Sequence, residues 1–261
     1  MSRTVTISSS ANPLVKDVRR AIERGGLTSE GWCVAETFHL LDEALRAGGV
    51  EQVLAAESAR QAVETRLEGA SRIPLAILPD KLFRTIAATE TSQGVAALVK
   101  PRPWAFEDLF GGATLVVMLD GVQDPGNAGA IARAAEAFGA TGIVFVRGSA
   151  SPFNPKTLRA SAGSLFRVPF VHGIDAAEAA AACDRQGITR FAAVPAGGLE
   201  DPDLTPGCAL IIGSEGRGVS GALKAGSKPV SIRTKGVESL NAAVAAGILL
   251  YEASRQRSGR P

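Results

Sequence analysis

Residues 114–146 constrain the fold more tightly than any other stretch of the chain. Thr114–Leu119 is an apolar run suited to a strand buried on both faces, and Asp120–Gly126 is dense in turn formers. Ala128–Phe138 follows as a helix and Gly142–Val146 as a second buried-type strand. Two strands joined through a helix run parallel, and a parallel sheet needs helices on its faces. This half therefore predicts an α/β domain with a doubly wound sheet. The pattern continues with helices over Lys156–Ala162 and Ala176–Gln186 and strands over Phe191–Val194, Cys208–Ile212 and Pro229–Ile232. It closes on a helix rich in small residues from about Asn241 to Arg257.

The first hundred residues alternate in the same way over shorter elements. Helices are expected at Leu14–Arg24, Phe38–Arg46, Ala59–Leu67 and Lys81–Ala88, the last capped by Asp80. Strands are expected at Gly31–Ala35, Val50–Ala55, Ile73–Leu78 and Gly94–Val99. That is a second, smaller α/β domain over residues 1–100. The prolines of Lys100-Pro101-Arg102-Pro103-Trp104 favour an extended linker over 101–111. The larger domain then occupies 112–261.

Composition removes several functions and establishes none. A net charge of +2 creates no general field for a polyanion, so RNA binding has to come from local clusters. Candidate clusters are Lys16/Arg19/Arg20/Arg24, then Lys156, Arg159 and Arg167, and finally Arg255/Arg257/Arg260; each reads equally well as a solvated face. No apolar run approaches the ~20 residues of a spanning helix, and Met1–Val5 has no apolar secretion-signal core. Cys33, Cys183 and Cys208 are odd in number and far apart, which fits a reducing cytoplasm. His39 and His172 show no ligand-type spacing, so no metal is expected. Neither a phosphate-cradling G-x-x-x-x-G-K-[ST] loop nor a G-x-S-x-G nucleophile elbow occurs.

Three segments are left to carry chemistry. In Leu119–Arg133 an ordinary reading makes Asn127 the helix N-cap and Arg133 a solvated cation. Gly129 and Ala130, however, leave a bare patch one turn before Arg133, and helical side chains lean toward the N-terminus. Arg133 can thus lie back toward the carboxyl end of the strand, where open α/β sheets bind ligands. In Ile211–Gly218 an apolar strand runs into Gly213-Ser214-Glu215-Gly216-Arg217-Gly218, a loop that is either a tight turn or a close-approach surface for a ligand. In Val230–Gly247, Glu238-Ser239-Leu240-Asn241 stands at the mouth of the last helix, where free backbone N–H groups can cap or bind.

Taken in order, Asn127-x-Gly129-x-x-x-Arg133, Gly213-Ser214-Glu215-Gly216-x-Gly218 and Glu238-Ser239-Leu240-Asn241 followed by Val244-Ala245-Ala246-Gly247 resemble the three motifs of the SpoU/TrmH family of RNA ribose 2′-O-methyltransferases, members of the SPOUT superfamily. Ser9-Ala11-Asn12-Pro13-Leu14-Val15-Lys16 is similar to the opening of the ribosomal-protein-like substrate (RNA)-binding domain that many members carry. The resemblance implies a Rossmann-like parallel sheet whose C-terminal chain forms a trefoil knot, a feature that patterning alone would never suggest. It implies S-adenosylmethionine as cofactor, held around Gly213, Ile232 and Leu240. Catalysis would rest on Asn127 and Arg133, with Glu215, Ser239 and Asn241 in support, and late-helix arginines such as Arg255 and Arg257 would meet RNA. The family's usual description makes this arginine the general base. Because arginine stays protonated, the physical reading preferred for Arg133 is that it orients the ribose and stabilises alkoxide charge, with an RNA phosphate as a candidate acceptor of the proton. The methyl already sits on a sulfonium, so no metal is required.

The third motif departs from the family pattern in two places. Arg233-Thr234 follows Ile232 where a Pro-Met-like pair is common, and Ala243 stands where a serine is common. The resemblance further implies a cytoplasmic homodimer acting on RNA, with ribosomal RNA favoured over transfer RNA. The alternative is a non-catalytic RNA-binding or ribosome-assembly protein on the same fold, against which the Asn127/Arg133/Asn241 set argues.

Overall fold

A computed structural model describes residues 4–70, 72–89 and 91–258. The outermost ends of the expected domains, 1–3 and 259–261, lie outside them. The chain forms two compact units, one of residues 1–103 with 153–166, the other of 104–152 with 167–261.

The first unit contains strands β1 (Thr4–Thr6), β2 (Cys33–Glu36), β3 (Val50–Ala56), β4 (Leu75–Leu78) and β5 (Val95–Val99). Its helices are α1 (Pro13–Arg24), α2 (Phe38–Ala47), α3 (Arg60–Arg66) and the single turn α4 (Asp80–Phe83). The sheet order is β1-β4-β3-β5-β2, with β1, β4 and β3 parallel and β5 antiparallel to both neighbours. Helix α1 shows how local sequence sets the boundaries. The Asn12 side chain accepts from the Leu14 amide, Pro13 takes the first turn, and Gly25 closes the helix with φ +60°. Val15, Val18 and Ala21 line its buried face and join Val34, Leu54, Leu78 and Leu98 in the core. Each of these valines and leucines contributes about 1.5–3 kcal/mol when fully buried.

The second unit contains β6 (Leu115–Asp120), β7 (Gly142–Val146), β8 (Phe170–Ile174), β9 (Thr189–Ala193), β10 (Cys208–Gly213) and β11 (Lys228–Val230). Its helices are α5 (Pro125–Ala137), α7 (Ala176–Arg185), the short α8 (Gly221–Lys224) and α9 (Ala242–Arg257), while α6 (Pro155–Ser161), between β7 and β8 in sequence, belongs to the first unit. The sheet is parallel throughout, in the order β11-β9-β10-β6-β7-β8. The strand order reverses between β6 and β10. Their following loops therefore diverge at the carboxyl edge and open a crevice there, the switch point at which such sheets bind ligands.

Two boundaries differ from the sequence expectation. Residues 106–109 form a helical turn, and Leu109 is fully buried against Gly142, where a Cβ would come within 2.3 Å of its side chain. An apolar anchor of that kind makes 104–111 part of the second unit, not a free linker. Residues 153–166, including α6, belong instead with the first unit. There Arg159 lies 3.6 Å from the buried carboxylate of Glu36, and Gly163 fits closely against the Glu43 side chain.

The three cysteines are buried and free, and burial pushes the thiols of Cys33 and Cys183 up to about 12 and about 11. Among the described residues no group of three His, Cys, Asp or Glu side chains is placed to hold a metal, and no helix is long and apolar enough to cross a membrane.

Candidate active site

The loop after β6 is shaped by capping. Asp124, not Asn127, caps α5: its carboxylate accepts from the Asn127 amide at 2.8 Å, and Pro125 occupies the first turn. The correction matters for function, because it leaves the Asn127 side chain free to reach across the crevice. Asp120, buried at the end of β6, accepts from the Ser220 amide at 2.6 Å and ties the second loop to the first.

The loop after β10 is a short hairpin in which Ser214 and Gly218 exchange backbone hydrogen bonds of 3.2 and 2.9 Å. Gly213 must be glycine here. A Cβ on it would lie 2.2 Å from the Gly218 carbonyl carbon and 2.3 Å from the Val219 nitrogen, both backbone atoms. Ser214 Oγ accepts from the Arg217 amide at 3.2 Å and fixes the hairpin tip.

Asn241 caps α9, its Oδ1 accepting from the amides of Ala243 and Val244 at 2.9 and 3.3 Å. Its Nδ2 then points at the other two motifs. Asn241 Nδ2 donates to Asn127 Oδ1 at 3.1 Å and lies 3.4 Å from Glu215 Oε1, which also accepts from Asn127 Nδ2 at 2.8 Å. Three residues spread over 115 positions of sequence thus close one polar network, each oriented by a cap or a hairpin.

Two cavities flank this network. The larger, of about 410 Å³, is walled by Ile212, Val219, Ile232, Leu240 and Leu249 and floored by the glycine hairpin. The smaller, of about 240 Å³, is polar, and Gln123, Asp124, Asn127, Glu215 and Arg217 line it. Ser214–Arg217 and Ala242 form a wall common to both. Gly213, Ile232 and Leu240 all line the larger cavity, as does Ser239, which makes no hydrogen bond among the described residues. Arg133 is exposed on α5 and likewise has no polar partner among the described residues; it lines neither cavity.

The profile of the SpoU rRNA Methylase family matches residues 114–251, and that of an MRM3-like substrate binding domain matches residues 12–97. The chain belongs to the SpoU family. A relative 32% identical over 94% of this chain and 97% of its own length is the 23S rRNA (guanosine(2553)-2′-O)-methyltransferase RlmP of Bacillus subtilis. Among solved structures, the AdoMet complex of the SpoU methyltransferase AviRb from Streptomyces viridochromogenes superposes with a TM-score of 0.82 at 28% identity, covering 95% of this chain and 100% of that one. The AdoMet-bound rRNA methyltransferase of Sinorhizobium meliloti gives 0.81 at 27% identity, with 97% and 98% covered. Membership makes this SpoU chain an S-adenosylmethionine-dependent RNA methyltransferase and implies the knotted C-terminal region.

The basic residues expected to meet RNA fare unequally. Arg257 donates to the carbonyls of Ala113, Thr114, Leu204 and Pro206, which makes it a staple for the end of α9. Arg159 is mostly buried beside Glu36. Arg167 pairs with Glu136 at 2.5 and 2.9 Å and Arg255 with Glu252 at 2.7 Å, although both stay exposed. Lys156 is exposed. Of the departures in the third motif, Arg233 turns out to Glu200, Thr234 lines the larger cavity, and Ala243 still supplies its amide to the Asn241 cap. Sequence reasoning missed Asp120, Val219 and Leu249. A carboxylate ending an apolar strand was the available signal for the first, whereas the two aliphatics look like any core residue.

Proposed function

We propose that this SpoU chain methylates a ribose 2′-hydroxyl of ribosomal RNA. The observation that carries the reading is the hydrogen-bond network of Asn127, Glu215 and Asn241, in which Asn127 lines the smaller, polar cavity and Glu215 lines both. The larger cavity suits S-adenosylmethionine: its aliphatic walls fit a purine, and the side-chain-free Gly213 lets backbone approach closely. When bound, that cofactor supplies a methyl already activated on sulfur. Gly213, Ile232, Leu240 and Leu249 would hold it, Asn127 and Asn241 would present amide dipoles to the incoming ribose, and Glu215 fixes both amides in place. Arg133, exposed on α5 and without a polar partner among the described residues, is the cation we assign to reach the ribose and stabilise charge developing on its 2′-oxygen. Positioning the ribose oxygen against the bound methyl donor would supply much of the rate, with the 2′-hydroxyl proton passing to an adjacent RNA phosphate.

RNA is gripped in addition by the first unit. Lys16, Arg20 and Arg24 stand at i, i+4 and i+8 on the exposed face of α1, without partners among the described residues. Val244, Ile248 and Tyr251 are exposed at matching spacing along α9 and form the apolar seam of a homodimer. Ribosomal RNA as substrate places the enzyme in the cytoplasm.

Alkaline cleavage tests the reaction, because it requires a free 2′-oxygen. Ribosomal RNA treated with enzyme and S-adenosylmethionine should gain one alkali-resistant bond. Methyl transfer to a base, with every bond still labile, would overturn the reading. Light scattering should give about twice the 26.9 kDa chain mass, and a fully active monomer would remove the seam.

A further inference from the structure

The second unit commits most of its arginines. Among the described residues, Arg147, Arg167, Arg190, Arg233 and Arg255 pair with carboxylates and Arg257 with backbone carbonyls. Arg133, Arg185 and Arg217 have no side-chain partner there. Of these three, Arg217 alone borders the cavities, and it borders both.

Its setting is built rather than incidental. The double hydrogen bond between Ser214 and Gly218, with Ser214 Oγ on the Arg217 amide, fixes the backbone from which the guanidinium extends. The neighbouring Gly216 amide also lacks an acceptor among the described residues, and Gly216 lines the same two cavities. The carboxylates of the smaller cavity form no ion pair with Arg217 among the described residues. Glu215 accepts from Asn127 and Asn241, and Asp124 accepts from the Asn127 amide as the cap of α5. An exposed guanidinium with no ion-pair partner among the described residues, beside a free amide at the mouth of a polar cavity, is the donor set of an anion site.

We infer that Arg217 and the Gly216 amide form a phosphodiester subsite that holds the RNA backbone next to the ribose being methylated. The inference rests on the RNA methyltransferase reading above and assigns a substrate contact to a residue outside the Asn127/Glu215/Asn241 network. A planar fork matches two phosphate oxygens, so an ammonium in its place keeps the charge and loses the geometry. Fixing that phosphate also fixes the adjacent 2′-oxygen, which makes Arg217 a positioning residue with its main effect on RNA affinity. The competing occupant is the carboxylate of the cofactor's methionine portion, which the larger cavity brings within the same neighbourhood. The exposure of Arg217 on the open side favours RNA.

The test uses the full chain, protein-free ribosomal RNA, and two cofactor probes, S-adenosylhomocysteine and 5′-methylthioadenosine, the latter lacking the carboxylate. Arg217→Ala should weaken RNA binding about tenfold or more and flatten the slope of log affinity against log salt by about 0.7–0.9, the loss of one phosphate contact. KM for RNA should rise more than kcat falls, and Arg217→Lys should recover part of the affinity. Both cofactor probes should bind as in the parent protein, with the melting temperature unchanged. A loss confined to S-adenosylhomocysteine would reassign Arg217 to the cofactor carboxylate. Unchanged RNA affinity and salt slope would leave it a solvated side chain, and either result overturns the subsite. Because the slope is read from binding alone, it judges the subsite separately from the alkali-resistance assay, which judges the reaction.

Discussion

The two cavities that meet at the Gly213–Gly218 hairpin are built on opposite principles. The larger is chiefly a matter of shape: aliphatic side chains and a backbone stripped of a side chain at Gly213 form most of it, and its polar groups are Lys224, Thr234, Ser239 and the shared Ser214–Arg217 wall. The smaller is a matter of orientation: side-chain amides and carboxylates that fix one another, with each group aimed by a cap or turn. Shape is lost by adding atoms and orientation by removing them. Changes on the two sides should therefore separate cofactor affinity from turnover.

The largest effect is expected from Gly213→Val. Its Cβ would stand 2.2–2.3 Å from backbone atoms of Gly218 and Val219, which cannot yield as a flexible side chain would. The hairpin must open, at a cost of about 3 kcal/mol, and calorimetry should find no measurable binding of S-adenosylhomocysteine. Retained binding would show that the hairpin does not form the cavity floor. On the orientation side, Arg133→Ala should lower kcat about 10²–10³-fold with the dissociation constant for S-adenosylhomocysteine unchanged. A parallel collapse of cofactor binding would place Arg133 in the larger cavity's support.

Much of this division was legible in the sequence, and the failures have physical causes. The apolar runs of β6, β7 and β10 announced a parallel sheet because both their faces are buried. Strand β8 was not foreseen: it follows Pro169, carries Gly173 at φ +70°, shifts register against β7 and forms the sheet edge. Strand β1 is three exposed residues whose only signal is β-branching. Asn127 carried too plausible a local role, since Asp124 and Asn127 are both good caps and only the three-dimensional path chooses between them. Residues 153–166 follow the second unit's pattern in sequence and still belong to the first, because their partners Glu36 and Glu43 lie over a hundred residues away.

A smaller effect separates RNA docking from both cavities. Replacing Lys16, Arg20 and Arg24 together by Gln should leave cofactor binding intact and reduce the salt slope of RNA affinity by about 2. An unchanged slope would return the α1 stripe to ordinary solvated surface.

The smallest effect sharpens the comparison most, because it asks whether the polar wall works by geometry or by charge. Glu215 Oε1 accepts from Asn127 and Asn241 together. Glutamine at 215 can offer its carbonyl oxygen to the same two Nδ2 groups, so Glu215→Gln preserves the orienting bonds and removes only the charge. Glu215→Ala removes the acceptor and leaves both amides free to rotate, a loss of about 1–3 kcal/mol in aligned hydrogen bonding. If orientation is the role of Glu215, kcat should fall only a few-fold in the Gln variant and about tenfold or more in the Ala variant, with cofactor affinity equal in both. If Gln proves as damaging as Ala, the negative charge itself acts on the reacting groups. The smaller cavity would then be an electrostatic device, and its amides would serve the carboxylate rather than the reverse.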